Sequence, residues 1–236
     1  MKIIISPSKT MKPTKHHLQM STPIFNEKSK PLKHALINLS IEEIEKTFQV
    51  SNKLAQNIFN GLKDQTLYPA LFYYTGTVFK QLELKNYTNI EFDYINKHLH
   101  ILDALYGVLK YSDGISFYRL DYLSQLDTFN LYSYWQSSID ELYEDEDLII
   151  NLASNEFSKQ IHHQNMVTID FCIEENGKIK RPSMHVKKAR GQMLNYLITH
   201  QITSLDHLKL IDLDGYCYDK NLSDEHHFVM IKSVKK

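Results

Sequence analysis

The short apolar run Lys2–Ile5 most constrains the fold of this chain, because Ser6 and Pro7 follow it directly. Three consecutive isoleucines predict a buried strand, and Ser6-Pro7 predicts that this strand ends in a loop. A second apolar run, Leu148–Leu152, breaks at Ala153-Ser154 and leads into a predicted helix. The two runs indicate a protein that mixes buried strands with helices.

Other segments extend this pattern. Ser40 begins a predicted helix with Glu43 at the capping-box position, and Asn176-Gly177 predicts the tight turn of a β-hairpin between Val167–Ile173 and Lys178–Arg181. Further helices are predicted over residues 52–62, 89–99, 131–142 and 184–200, and short strands over Phe72–Thr75 and from Leu208 onward. No internal repeat or low-complexity linker interrupts the 236 residues. We therefore predict one compact α+β domain over residues 1–236.

Charge is distributed unevenly along a nearly neutral chain. The formal net charge is −1, which does not indicate a nucleic-acid-binding protein. However, residues 1–35 contain seven lysines and one acid, and Lys178–Arg190 contains four lysines, two arginines and no acid. Any binding of nucleic acid must therefore arise from local basic surfaces.

Residue types that mark particular compartments or metal sites are sparse. The two cysteines have no metal-knuckle or redox spacing, which favours a reduced, cytoplasmic protein. The 12 histidines show no pattern of ligand spacing, so we assign no metal and no cofactor. The N-terminal apolar run is too short for a signal peptide, and no run of 18 apolar residues predicts a membrane span.

The first candidate binding motif is ISPSKT at the end of the first strand. Hydroxyl groups of Ser6 and Thr10, backbone amides and the Lys9 ammonium would meet at one edge of a sheet, which suits a phosphate. The motif lacks the glycines of a nucleotide-binding P-loop. A surface loop is the alternative.

The second candidate is NLASNEF, where a strand breaks before a helix. This break would direct backbone amides towards one point, with Ser154 available as a cap and Asn151 as a hydrogen-bonding group. A purely structural corner is the alternative.

The third candidate is LDALYGVLK with the following YRLD. Gly107 lies between bulky apolar residues, as in the hairpin of a helix-hairpin-helix element, where glycine lets backbone amides approach a DNA phosphate. Lys110 and Arg119 would add positive charge nearby. Ordinary core packing is the alternative.

The fourth candidate is KKARG in the last long helix. Only three of the 27 basic residues are arginines, which suggests that Arg190 makes a bidentate contact that lysine cannot make. Lys187 and Arg190 share a helix face, with Lys188 adjacent. Gly191 costs about 1 kcal/mol relative to alanine inside a helix, which suggests close approach of a backbone or a ligand. The alternative is a solvated helix face.

Eight motifs in register resemble the YaaA family of bacterial peroxide stress proteins. They are ISPSKT, YTGTVFKQL, HLHILDALYGVLK, YRLD, LYSYWQSSI, NLASNEF, KKARGQMLNYLI and DGYCYD with the following LSDE. The resemblance implies a compact, melon-like mixed fold with a basic cleft and a helix-hairpin-helix element. It also implies DNA binding and a role in limiting free intracellular iron during peroxide stress. The matching positions are Ser6, Lys9, Thr10, Gly107, Arg119, Asn151, Ser154, Lys187 and Arg190.

Three hypotheses follow. The first is a non-enzymatic protein of the oxidative stress response that binds the backbone of double-stranded or structured DNA. The second is an enzyme that acts on a nucleotide or a nucleic-acid base in a phosphate-binding pocket, and the third is a factor that ligates iron directly. An open groove containing Lys9, Lys187 and Arg190 would favour DNA, and a closed pocket would favour a small phosphate-bearing ligand.

Overall fold

The computed structural model of the protein describes residues 1–15, 18–126 and 129–233. Its strands are β1 (Lys2–Ile5), β2 (Tyr68–Pro69), β3 (Leu99–Asp103), β4 (Gly107–Leu109), β5 (Gly114–Ile115), β6 (Ile149–Asn151), β7 (Met166–Glu175), β8 (Lys178–Lys180), β9 (Asp212–Leu213), β10 (Tyr216–Tyr218) and β11 (His227–Ser233). Its helices are α1 (Asn26–Ile37), α2 (Ile41–Phe48), α3 (Asn52–Lys63), α4 (Ala70–Tyr73), α5 (Asn89–His98), α6 (Leu131–Tyr143), α7 (Asn155–Ser158), α8 (Ser183–Thr199) and α9 (Leu205–Leu208), and Phe79–Gln81 forms a 3₁₀ helix.

A mostly parallel sheet forms the centre of the molecule. The strand order is β4-β3-β1-β6-β7-β11-β10-β9, with β8 paired to β7. Strands β3, β1, β6, β7 and β11 are parallel, and the remaining pairings in this sheet are antiparallel. The three isoleucines of β1 have no solvent exposure, as expected for a strand buried on both faces. The predicted mixture of helices and strands is confirmed, but the α+β class is corrected to mixed α/β.

Several local predictions can be compared with the structure directly. Ser40 accepts a hydrogen bond from the Glu43 amide at 3.2 Å, and Glu43 accepts one from the Ser40 amide at 2.7 Å, which confirms the capping box. Asn176 and Gly177 have φ angles of 53° and 73°, as the predicted hairpin turn requires. The strand predicted over Phe72–Thr75 is wrong, because residues 70–73 form α4 after Pro69.

The segment around Gly107 does not confirm the predicted helix-hairpin-helix element. Strands β3 and β4 form an antiparallel hairpin there, and Gly107 opens β4 with a φ of 72°. A Cβ atom at Gly107 would lie 2.8 Å from the ring of Trp135 and 3.0 Å from that of Phe25. The glycine therefore provides a left-handed turn and space for core aromatic rings, so it is not exposed to a DNA phosphate.

Within the described parts of the chain, every helix is too short or too polar to cross a membrane.

A cavity at the carboxyl edge of the sheet

The connections that leave β1 and β6 diverge, although these strands are neighbours. The chain leaves β1 towards β3 on one side, and it leaves β6 towards β7 on the other. In open α/β sheets, such a switch point creates a crevice beyond the carboxyl ends of the strands, and ligands bind there. Ser6 follows β1 directly, and Ser154 lies three residues after β6.

A cavity of about 310 Å³ occupies this crevice. Its volume lies at the lower end of the range of about 300–1,000 Å³ typical of small-molecule sites. Three of the four candidate motifs, and the Arg119 segment that follows the hairpin, contribute to its walls. The predicted residues that line it are Ser6, Lys9, Thr10, Arg119, Ser154, Lys187 and Arg190.

Two serines connect the loops after β1 and β6. The Ser6 hydroxyl accepts a hydrogen bond from the Ser154 backbone amide at 2.8 Å, and their hydroxyl oxygens are 3.2 Å apart. Ser154 stands at the N-cap of α7 but makes no side-chain capping hydrogen bond. The pair therefore holds the two loops together at the cavity wall.

Helix α8 brings Arg190 to the cavity because Gly191 lets the helix approach another backbone closely. A Cβ atom at Gly191 would clash with the backbone carbonyl oxygen of Val78 and would lie 2.7 Å from Gln81 Cγ. The predicted close approach is thereby confirmed, and the partner is the segment that includes the 3₁₀ helix. Arg190 is half-buried, and its Nε group has no hydrogen-bond partner among the described residues.

The electrostatic environment of Arg190 favours an anion. Burial lowers the pKa of Arg190 below its usual value. The negative charge of Asp170 raises this pKa, but it offsets the effect of burial only in part. Arginine remains charged in proteins even so. A partly buried cation that lacks a close carboxylate is stabilised when an anionic ligand supplies the missing partner.

Arg119 reaches the cavity next to a buried network of hydroxyl and carboxyl groups. Asp103, at the end of β3, is fully buried and accepts hydrogen bonds from two backbone amides of the following turn at 2.8 and 2.9 Å. Its other oxygen accepts from the hydroxyls of Tyr74, at 3.0 Å, and Tyr118. This network fixes Tyr118, which lines the cavity beside Arg119. The Arg119 Nε group is also buried without a partner in the described structure.

Two acidic residues of the cavity were not among the predicted site residues. Asp121 pairs with Lys9, with 2.6 Å between Nζ and Oδ2, and Glu156 lies near both. Burial raises the pKa of Glu156, the Asp121 charge raises it further, and Lys9 opposes this shift. Both acids stand inside the motifs YRLD and NLASNEF, so their motif membership was the available signal.

Four predicted residues lie outside the cavity lining. Gly107 is buried in the hairpin. The Lys110 amide donates to Asp113 at 2.8 Å, in a turn after β4. The Asn151 side-chain amide donates a hydrogen bond to the Thr168 hydroxyl at 3.0 Å, and its oxygen accepts one from the Ala153 backbone amide at 2.8 Å. Asn151 therefore stabilises the strand break. Lys188 is exposed, with its ammonium 3.9 Å from Asp214.

Comparison with known proteins agrees with the motif pattern. A family model described as peroxide stress protein YaaA matches residues 1–222. The chain belongs to the YaaA family. A UPF0246 protein of Fusobacterium nucleatum is 36% identical and aligns over 98% of this chain and 99% of its own length. A UPF0246 protein of Clostridioides difficile is 33% identical and aligns over 98% and 99%, respectively.

The YaaA-family match includes every segment that builds the cavity, from the loop after β1 to helix α8. In the described residues, no group of three or more His, Cys, Asp or Glu side chains is arranged to hold a metal ion.

Proposed function

We propose that this protein binds a small phosphate-bearing ligand, such as a nucleotide, in the cavity between the ends of β1 and β6, and that it acts there in the peroxide stress response for which its family is named. The observation that carries the proposal is the meeting of four cationic side chains at a topological switch point. They are Lys9, Arg119, Lys187 and Arg190.

The balance of charge within the cavity supports an anionic ligand. Lys9 and Asp121 pair at 2.6 Å and offset one another. Glu156 is the remaining acid of the lining, against the three cations Arg119, Lys187 and Arg190. Arg119 and Arg190 remain with buried Nε groups that lack partners among the described residues. Arginine binds phosphate through several hydrogen bonds in a fixed geometry, and these charge-assisted bonds are stronger than neutral ones.

The cavity also supports the enzyme hypothesis over an open DNA groove. A site of about 310 Å³ suits a compact ligand, whereas a duplex needs an extended surface. Hydroxyl and carboxyl groups, including Ser6 and Glu156, line the same space. An enzyme acting on a nucleotide or a nucleic-acid base would find both anion-binding and acid–base groups there.

The test is an equilibrium titration of adenosine monophosphate into the wild-type protein and two charge-matched variants. Arg190→Ala should weaken binding by about 1.5–3 kcal/mol, the usual range for a hydrogen bond to a charged group. Lys188→Ala removes one positive charge from the same helix, outside the cavity, and should leave affinity nearly unchanged. Equal losses in both variants would assign the effect to bulk charge and would contradict the proposal.

DNA binding that protects DNA and helps limit free iron is the second candidate. It is favoured by the exposed side chains of Lys187 and Lys188, which are consecutive residues of α8, and by Lys9, whose side chain is 57% exposed at the cavity. These lysines would contact the DNA backbone without reading base sequence.

Titration of labelled duplex DNA at several salt concentrations tests this candidate. If about five phosphates are neutralised, the slope of log K against log salt should be about −4 to −5. Lys187→Ala and Lys188→Ala should each reduce the slope by about one unit. An absence of binding in low salt would eliminate the DNA candidate and leave the small-ligand proposal standing.

A further inference from the structure

The residues of the cavity wall include one with an unsatisfied hydrogen-bond acceptor as well as two with unsatisfied donors. Glu156 lines it, and Glu156 Oε1 is buried with no hydrogen-bond partner in the described structure. The neighbouring carboxylate of Asp121 is occupied by Lys9 at 2.6 Å. A buried polar atom without a partner costs about 1–3 kcal/mol, so a ligand that satisfies it gains affinity.

We propose that Glu156 accepts a hydrogen bond from a hydroxyl on the bound phosphate, so that the site selects phosphate groups bearing a P–OH over sulfate and over internal phosphodiesters. The inference rests on the proposed function, because the same arginines hold the anionic oxygens. It names the ligand class more closely: a free phosphate or a terminal phosphate monoester.

The selectivity follows from the donors that each anion can offer. A phosphate monoester has a second pKa near 6, so it readily presents a P–OH close to neutral pH. Sulfate and phosphodiesters such as dimethyl phosphate have no proton to donate at that pH. Their oxygens would lie against the unpartnered carboxylate oxygen of Glu156, where acceptor faces acceptor and like charges repel.

The location of Glu156 in the fold makes this role specific to the cavity. Glu156 is the second residue of α7, the short helix that follows β6. Burial raises the pKa of Glu156, and the backbone of Tyr122 and Leu123, in the loop that carries Asp121, opposes part of this shift. Glu156 Oε1 has no hydrogen-bond partner in the described residues, so it is available to a ligand.

The primary test is calorimetric titration of the wild-type protein at pH 6.5 and constant ionic strength with inorganic phosphate, sulfate and dimethyl phosphate. Phosphate should bind about tenfold or more tightly than either of the others, as expected for one hydrogen bond to a charged group. This comparison needs no variant, so it does not depend on the folding of a mutant. Equal affinity for phosphate and sulfate would overturn the inference but leave the proposed function intact, whereas no binding of phosphate or of adenosine monophosphate would overturn both.

The second test uses Glu156→Gln, with Glu141→Gln on an exposed position of α6 as the matched control. The glutamine amide keeps an oxygen for the loop amides and adds a donor for an anion. Sulfate should therefore gain affinity and come within about threefold of phosphate in Glu156→Gln, while Glu141→Gln keeps the wild-type ratio. Unchanged selectivity in a folded Glu156→Gln protein would show that another group sets the preference.

Discussion

Asp103 is a carboxyl group that the fold buries completely, which is costly unless hydrogen bonds compensate. Burial raises its pKa, while hydrogen bonds from Tyr118, two backbone amides and Tyr74 oppose the shift. The carboxyl group therefore connects three parts of the chain: the turn after β3, the Tyr74 region and the segment that carries Arg119. Asp103 is therefore a positioning residue for the cavity, since its complete burial keeps it from contacting a ligand.

Replacing Asp103 should test this positioning role. Asp103→Ala leaves several buried donors without an acceptor, so we expect a loss of about 3 kcal/mol or more in the free energy of unfolding. Asp103→Asn keeps an oxygen for the turn amides and should lose less. Urea unfolding measures both changes, and equal stability of Asp103→Ala and the wild type would contradict the structural role.

Helix α8 and the 3₁₀ helix Phe79–Gln81 form the element pair on which the cavity depends. Their contact needs Gly191, because any side chain there meets the Val78 carbonyl. A second glycine of the cavity lining makes a close contact with a side chain, since a Cβ atom at Gly76 would lie 2.5 Å from Ser8 Oγ. Gly76 thus lets residues 76–81 approach the loop after β1, and Gly191 lets α8 approach the same short segment.

Gly191→Ala should destabilise the protein although alanine is the better helix former. The helix gains about 1 kcal/mol from propensity, but the steric overlap with a backbone atom costs more, so we expect a net loss of about 1–3 kcal/mol. Lys188→Ala, on an exposed face of the same helix, should change stability by less than about 0.5 kcal/mol. Thermal unfolding distinguishes the two, and a stabilised Gly191→Ala protein would contradict the close contact.

The whole molecule responds to pH partly through a histidine within the central sheet. His100 in β3 is buried, with Nδ1 3.0 Å from the Tyr143 hydroxyl. Burial, together with the charges of Lys2 and Lys110, lowers the pKa of His100 to about 3. The folded protein therefore keeps this histidine neutral at pH values where the unfolded chain would protonate it.

Stability should fall as the pH drops below the ordinary histidine pKa of about 6.5. Because the unfolded state binds the additional proton, His100 alone should cost about 2 kcal/mol between pH 7.5 and pH 5. His100→Gln should lose this component while other groups titrate as before. Urea unfolding of both proteins at the two pH values gives the difference, and identical pH dependence would show that His100 is not protonated on unfolding.

Local signals predicted the parts of the fold that depend on neighbouring residues. Ser40 with Glu43, and Asn176 with Gly177, specify a cap and a turn through contacts only a few residues apart. The strand prediction over Phe72–Thr75 was wrong because a short aromatic run is compatible with either a buried strand or a buried helix. The tertiary surroundings of the run decide between them. The helix-hairpin-helix prediction at Gly107 was not confirmed, because a glycine with a positive φ angle occurs in β-hairpins as well as in helical hairpins.

The candidate site was predictable in part for a related reason. Ser6 and Ser154 follow strands, and parallel strands bring their carboxyl ends to one edge of a sheet. The strand order that makes this edge a crevice involves pairings across more than 140 residues, which no local pattern encodes. The role of Glu156 could not be predicted from the sequence, because only its surroundings in the folded chain show that one of its oxygens lacks a hydrogen-bond partner.

The position of β1 has a consequence for synthesis on the ribosome. This strand of three consecutive isoleucines pairs on one side with Leu99–Ile101 and on the other with Ile149–Asn151. At about 5–20 residues per second, roughly 7 to 30 seconds pass before both neighbours have been made. Throughout that interval, an apolar, strand-forming segment has an unpaired edge. We therefore expect the nascent chain to bind chaperones that shield apolar segments.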